Sequence, residues 1–411
     1  MKKLFLFGFL ALFIVLNTSF KEDWGFFAHQ MINKKAVFTL PPELIPFYKK
    51  NIDYISRHAI DPDKRRYISE QEAPRHYIDI DHYGKAPFDA VPRRWNDALA
   101  KFSKVYLQLN TGDTLQLFGE KVAHYQRDTM TLFGKSIQNL FQKDSLKIPT
   151  SRYVDFVKTH ISRKYYEMYW EFPLQDLDTL FQTVVFNQKA QKAFAEDEVS
   201  KYGIVPWHLE KMLSRLTYAF KEMDKKKILR NSADIGHYIG DSHVPLHTTM
   251  NYNGQMTNQV GIHGFWESRL PELFSENYSF FVGKAQYIDA PNTYFWDVVL
   301  TSHSHLDSVF MIEKDLTNTF GSDRKYCYET RGNSTVRTYC KDFSDAYHRR
   351  LEGMVETRMR DAIFSVGSAW MTAWVNAGQP DLRKLGESFV LAEEEEDKIN
   401  SNELKIKGRT H

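Results

Sequence analysis

The sequence predicts an all-α, multi-helix fold, and three observations carry that prediction. Apolar residues recur at three-to-four spacing over long stretches: Leu209, Met212, Leu213, Leu216, Ala219 and Phe220 in one, and Leu351, Met354, Val355, Met359, Ala362 and Ile363 in another. Convincing alternating patterns of strand type are few. Prolines stand where helices start or stop: Pro206 suits a first helical turn, and Pro245 disfavours helical geometry at Val244. At 411 residues the chain has room for one large domain or two medium ones, with apolar content for a real core.

Residues 1–23 read as an export signal. Lys2-Lys3 supply the positive region, and Leu4 to Leu16 is apolar but for Gly8, short for a bilayer span and right for a signal-peptide core. The protein is thus expected to be exported, to the periplasm or the extracellular space. Residues 24–50 follow a helical period that Pro41-Pro42 interrupts. Residues 51–83 are mixed and carry Asp61-Pro62-Asp63-Lys64-Arg65-Arg66 and Arg75-His76-Tyr77-Ile78-Asp79. Residues 84–203 are aromatic-rich and helix-like, without recognisable chemistry.

A long helix is expected over 206–238, ending before Pro245, with Gly236 and Gly240 flanking His237 so that another helix can approach closely. A second helical stretch covers 342–377. Cys327 and Cys340 lie in a segment rich in Thr, Gly, Asn and Ser, and in an exported protein they are expected to close a short hairpin loop as a disulfide. The charged tail, 391–411, holds the acidic run Glu393 to Asp397 and is expected to be disordered. The net charge of +2 demands no polyanionic partner, and no stable protein partner is evident.

The chemistry concentrates between His237 and Glu267. His237/Asp241 and His263/Glu267 each stand four residues apart, which on a helix brings imidazole and carboxylate onto one face. Such side chains suit zinc. Two cysteines alone cannot make a zinc site, so His and carboxylates must supply the ligands. His-Glu-x-x-His does not occur, which disfavours a zinc protease.

With Trp24-Gly25-Phe26-Phe27-Ala28-His29, Asp61, the His76-Tyr77-Ile78-Asp79 motif, His237-x3-Asp241, His247 and His263-x3-Glu267, the chain resembles the zinc-dependent phospholipase C and single-strand-specific zinc nuclease family. Its members are all-α phosphodiesterases holding three zinc ions. The resemblance implies one zinc on Asp61, His76, His237 and Asp241, and a second on His247, His263 and Glu267. The third would take the amine and carbonyl of Trp24, His29 and, as a bridge, Asp241. Trp24 can offer its amine only if processing ends at Asp23. Pro62 marks a turn that could present either Asp61 or Asp63; the family spacing favours Asp61. Relative to compact members, 84–203 is a large insertion.

The resemblance further implies attack on phosphorus by a zinc-bridging hydroxide, with Asp61 orienting or deprotonating the water. Lys64 stands where the nucleases usually carry an Arg beside the phosphate, and Arg65 or Arg66 could substitute. Tyr77 and Asp79 are assigned to substrate binding. The closing carboxylate is Glu267, as in the phospholipase branch, the interval from His247 to His263 is short, and the Gly-Gly-Asn element of the nucleases is missing. A phospholipid is therefore the favoured phosphodiester, with transient contact to a membrane surface. Single-stranded nucleic acid is the alternative substrate, and a zinc-stabilised, non-enzymatic surface protein is the alternative class.

Overall fold

Every residue from Ser232 to Ser242 is buried, so the second half of the Lys225–Ser242 helix runs through the interior. A helix buried on all sides needs small residues where neighbours come close, and Gly236 and Gly240 provide them. A Cβ on Gly236 would lie 2.7 Å from Cγ of Asn33, and one on Gly240 would lie 2.8 Å from Nδ1 of His29. Both partners belong to the Phe26–Ala36 helix, which packs across this face. The computed structural model describes residues 26–162, 169–331 and 334–385. Residues 1–23, read above as an export signal, Trp24 and the charged tail 391–411 lie outside the described residues.

The long helix expected over 206–238 is two helices, Val205–Lys221 and Lys225–Ser242. Met223 turns the chain with a φ of 54°, and Asp224 caps the second helix by accepting the Lys227 N–H at 3.0 Å. That helix stops before Pro245, where Val244 is extended. Met354–Asn376 packs against it and against Val205–Lys221 and Phe26–Ala36. Gly353, at a φ of 80°, separates Met354–Asn376 from the preceding Lys341–Arg350 helix. Among the described residues no helix is long and apolar enough to cross a membrane.

The all-α expectation is overturned. Nine strands form three antiparallel sheets among the described residues, which makes the architecture a mixture of helix and sheet. In chain order they are β1 Lys104–Leu109, β2 Thr114–Phe118, β3 Ala123–Tyr125, β4 Thr129–Phe133, β5 Ser145–Pro149, β6 Tyr169–Phe172, β7 Ala190–Glu196, β8 Tyr326–Arg331 and β9 Ser334–Tyr339. One sheet has the order β2-β1-β7-β6, another β3-β4-β5, and β8-β9 is a hairpin. Residues 84–203, expected to be helix-like, therefore build two of the three sheets. Their strands do alternate: Val105 and Leu107 point inward on β1, Met130 and Leu132 on β4. They are short, however, and short helices such as Lys135–Phe141 and Leu174–Phe181 interleave with them. A brief alternation among so many aromatics does not stand out from a helical pattern. Cys327 and Cys340 form a disulfide beside the hairpin β8-β9.

Candidate metal centre

Three elements far apart in sequence converge on the Lys225–Ser242 helix. Phe26–Ala36 brings His29, the short Asp61–Arg65 helix brings Asp63, and the turn Ala73–His76 brings His76. The helix itself supplies His237 and Asp241 from one face. Beyond Pro245 the chain delivers His247, and the helical stretch 262–274 delivers His263 and Glu267. All but Asp63 are buried, and the Asp63 side chain is only 16% exposed.

These side chains form three groups whose donor atoms lie close enough to hold a metal ion: Asp63, His76 and His237; His29, His237 and Asp241; and His247, His263 and Glu267. Around the first group, His76 Nδ1 is 2.9 Å from Asp241 Oδ2 and 3.0 Å from His237 Nε2. His237 Nε2 is 3.2 Å from the same Oδ2, and Asp63 Oδ1 is 3.7 Å from both imidazoles. These separations bracket the edge of roughly 3.3 Å expected of a tetrahedron with metal–ligand bonds of about 2.0–2.1 Å. In the third group, Glu267 Oε2 is 2.7 Å from His263 Nε2 and 3.1 Å from His247 Nε2. Between them, His29 Nε2 lies 3.3 Å from Asp241 Oδ1 and 3.7 Å from Glu267 Oε1. Asp241 and Glu267 thus each turn one oxygen to an outer group and the other to His29.

The imidazoles are oriented for coordination. His237 directs Nδ1 to the Ala59 carbonyl at 2.8 Å, and His247 directs Nδ1 to the His76 carbonyl at 2.6 Å. Donation there leaves each Nε2 a lone pair aimed into the cluster, the usual outer-sphere arrangement of a metal-bound histidine. The donor set of neutral imidazoles and carboxylates fits zinc chemically.

Burial alone would raise the Asp241 carboxyl, yet His237 and His247 hold it well below the usual carboxylate range. Glu267 behaves alike, with His247 and His263 outweighing burial. Burial works to lower His29, but Asp241 and Glu267 lift it to about 10. Burial prevails at His76, which falls to about 4 despite its bond to Asp241. The carboxylates hold negative charge in the interior, a setting suited to a multivalent cation.

Not every residue expected at the site is there. Asp61 is outside the three groups: Oδ2 lies 2.6 Å from His58 Nδ1 and Oδ1 accepts from Lys64 Nζ at 3.4 Å, with the side chain about a third exposed. Asp63 takes the place expected for it. Two residues on a helix point about 200° apart, so only one of the pair can face His76 and His237. Arg65 binds Asp234 at 3.0 Å, Glu72 at 3.5 Å and the Tyr238 hydroxyl at 3.3 Å, so it is held in an ion-pair network. Lys64 is half-exposed on Asp61. The cation beside the cluster is Arg66, whose Nη1 lies 3.4 Å from Asp63 Oδ1. Arg66, expected only as a substitute for Lys64, stands three residues after Asp63, as Lys64 stands three after Asp61.

Tyr77 and Asp79 are buried and belong to a seam between segments. The N–H of Ile78 donates to His247 O at 2.9 Å, Asp79 N–H to Tyr202 O, and Val205 N–H to Tyr77 O. His243 is buried apart from the cluster, with Nδ1 on the Ile239 carbonyl. Glu72 was not singled out in the sequence; it is buried between Arg65, Arg75 and the Tyr238 hydroxyl, and its Oε1 lies 3.9 Å from His76 Nε2. Comparison with known proteins finds no family model that matches this chain and no curated protein that matches it.

Proposed function

We propose that this protein is a zinc-dependent hydrolase of phosphodiesters, acting in the manner of a phospholipase C. The observation that carries the reading is the sharing of two carboxylates, Asp241 and Glu267, among three adjacent donor groups built from five histidines and three acids. That density exceeds what a single structural ion requires. It agrees with the order of ligands in trizinc phosphodiesterases once Asp63 replaces Asp61. Zinc held there would supply Lewis acidity and bring the pKa of a water toward neutrality.

The chain's own contribution is position and charge. Asp63, His76, His237 and Asp241 fix one face of the centre, and His247, His263 and Glu267 fix another. Arg66 brings a permanent guanidinium to the edge formed by Asp63, placed to take a non-bridging phosphate oxygen and to hold the charge that develops on it. Three carboxylates offset only part of the charge of three dications, so the centre would attract an anionic ester.

Glu267 as the closing carboxylate and the short interval from His247 to His263 support phospholipid as substrate. A second reading, cleavage of single-stranded nucleic acid, is supported by Arg66, which stands three residues after Asp63 where the nucleases carry an Arg. Parallel assays of the zinc-loaded protein on phosphatidylcholine, single-stranded DNA and RNA separate the readings. Release of a phosphorylated head group supports the first, and nucleotide release without lipid cleavage replaces it with the second. Absence of zinc-dependent turnover on all three would leave a zinc-stabilised surface protein.

A further inference from the structure

The disulfide hairpin takes no part in the chemistry above, yet its contacts converge on one ligand. Glu267 is the middle residue of a π-helical turn, Phe265–Arg269, a winding often found at functional sites. Two residues before it, the Phe265 ring stacks on Tyr339 of β9 with centroids 3.8 Å apart and planes 11° apart. Two residues after it, the buried Arg269 makes a two-pronged pair with Glu329 of β8, Nη1 to Oε2 at 3.0 Å. The hairpin therefore holds the turn on both sides of the ligand.

The same support reaches His263. Cys340 N–H donates to the Lys325 carbonyl at 3.0 Å, and the Lys325 ammonium is buried against Glu313 at 2.5 Å. Glu313 accepts from Gln259 Nε2 at 2.6 Å, and Gln259 lies four residues ahead of His263. Bridging Cys327 to Cys340 ties this anchor to the strand that bears Glu329.

We propose that the disulfide-closed hairpin positions Glu267 and His263, and so sets the metal affinity of the His247–His263–Glu267 group. The inference rests on reading the clusters as zinc sites. Glu267 Oε2 lies within 3.1 Å of both imidazoles, and a small shift of the π turn would spoil that geometry. Outer partners of metal ligands are commonly worth roughly 10–100-fold in affinity.

The test uses the full mature protein, loaded with zinc and counted by native mass spectrometry, with ion release followed into a chromogenic chelator. In Cys327→Ser/Cys340→Ser, Glu329→Ala and Tyr339→Ala, one ion per chain should leave roughly 10–100-fold faster while the others keep the parent rate. Tyr339→Phe, which keeps the stacked ring, should match the parent. Circular dichroism and thermal melts identify a variant that has unfolded, which would release all its ions together. Zinc-bound variants that release every ion at the parent rate, or all ions equally faster while folded, overturn the positioning role alone. A parent protein that takes up no zinc overturns the zinc reading and this inference with it.

Discussion

Replacing Gly236 with Ala tests the packing that brings the Phe26–Ala36 helix, and with it His29, onto the metal-binding helix. In an isolated helix this change would help, since Ala is favoured over Gly by about 1 kcal/mol. Here the new methyl would sit 2.7 Å from Asn33 Cγ and 2.9 Å from its Nδ2, and closer still to Oδ1. Asn33 cannot simply swing away. It is fully buried, and its Nδ2 donates to Ala233 O at 3.1 Å and to Ile55 O at 3.4 Å. Overpacking costs about 1–3 kcal/mol, and each lost side-chain bond costs about 1 kcal/mol more. Set against the helix gain, the net effect is a loss of roughly 1–4 kcal/mol.

Urea unfolding of the metal-free protein measures this, with Gly264→Ala as the control. Gly264 is helical, and a Cβ there meets nothing within 4 Å, so that change should be neutral or stabilise by up to about 1 kcal/mol. If Gly236→Ala were as stable as the parent, the close contact between the two helices would be wrong, and with it the placement of His29.

Three further outcomes are expected. Asp63→Asn should lower the number of zinc ions bound per chain, whereas Asp61→Asn should keep the parent number; metal analysis after dialysis decides between the two acids. Arg66→Ala should cut turnover on a phosphodiester by about 10²-fold in zinc-loaded protein that is still folded at the assay temperature. Arg65→Met should act on stability instead, destabilising by about 2–4 kcal/mol, a figure reduced for the partial exposure of Arg65, because Asp234 and Glu72 lose their partner in the interior. Metal-free protein should lose stability as pH falls below about 6.5, because burial holds His208 and His243 neutral in the fold while the unfolded chain takes up protons there. Each contributes a slope of ~1.4 kcal/mol per pH unit in that range. Denaturation of His243→Gln at pH 5.5 and 7.5 should show a smaller difference between the two pH values than the parent does.

Part of the donor set was legible because helical geometry turns sequence intervals into contacts, while His29 and His76 were expected from the resemblance alone. His237 and Asp241, four apart, converge as expected, and Pro245 sends His247 to a different group. Local spacing could not settle Asp61 against Asp63. Which face of the Asp61–Arg65 helix meets His76 depends on how that helix docks, a tertiary fact. The same ambiguity put Lys64 first, with Arg65 or Arg66 as substitutes, where the structure sets Arg66 beside Asp63. Tyr77 and Asp79 look like substrate residues from their place beside His76, but Tyr77 O accepts from Val205 N–H and Asp79 N–H donates to Tyr202 O, and both residues are buried in that seam. The sheets were missed for another reason. Strand β3 has three residues and β6 four, and so brief an alternation carries little signal until a partner strand is known.

Zinc titration of the metal-free mature protein, with hydrolysis of bis-p-nitrophenyl phosphate followed at each addition, tests the central claim most directly. The account predicts turnover that appears as zinc is taken up, saturates at three ions per chain, and is abolished by a chelator and by Asp241→Asn. A folded protein that binds the ions and cleaves no phosphodiester, or one that cleaves equally well without them, would contradict it.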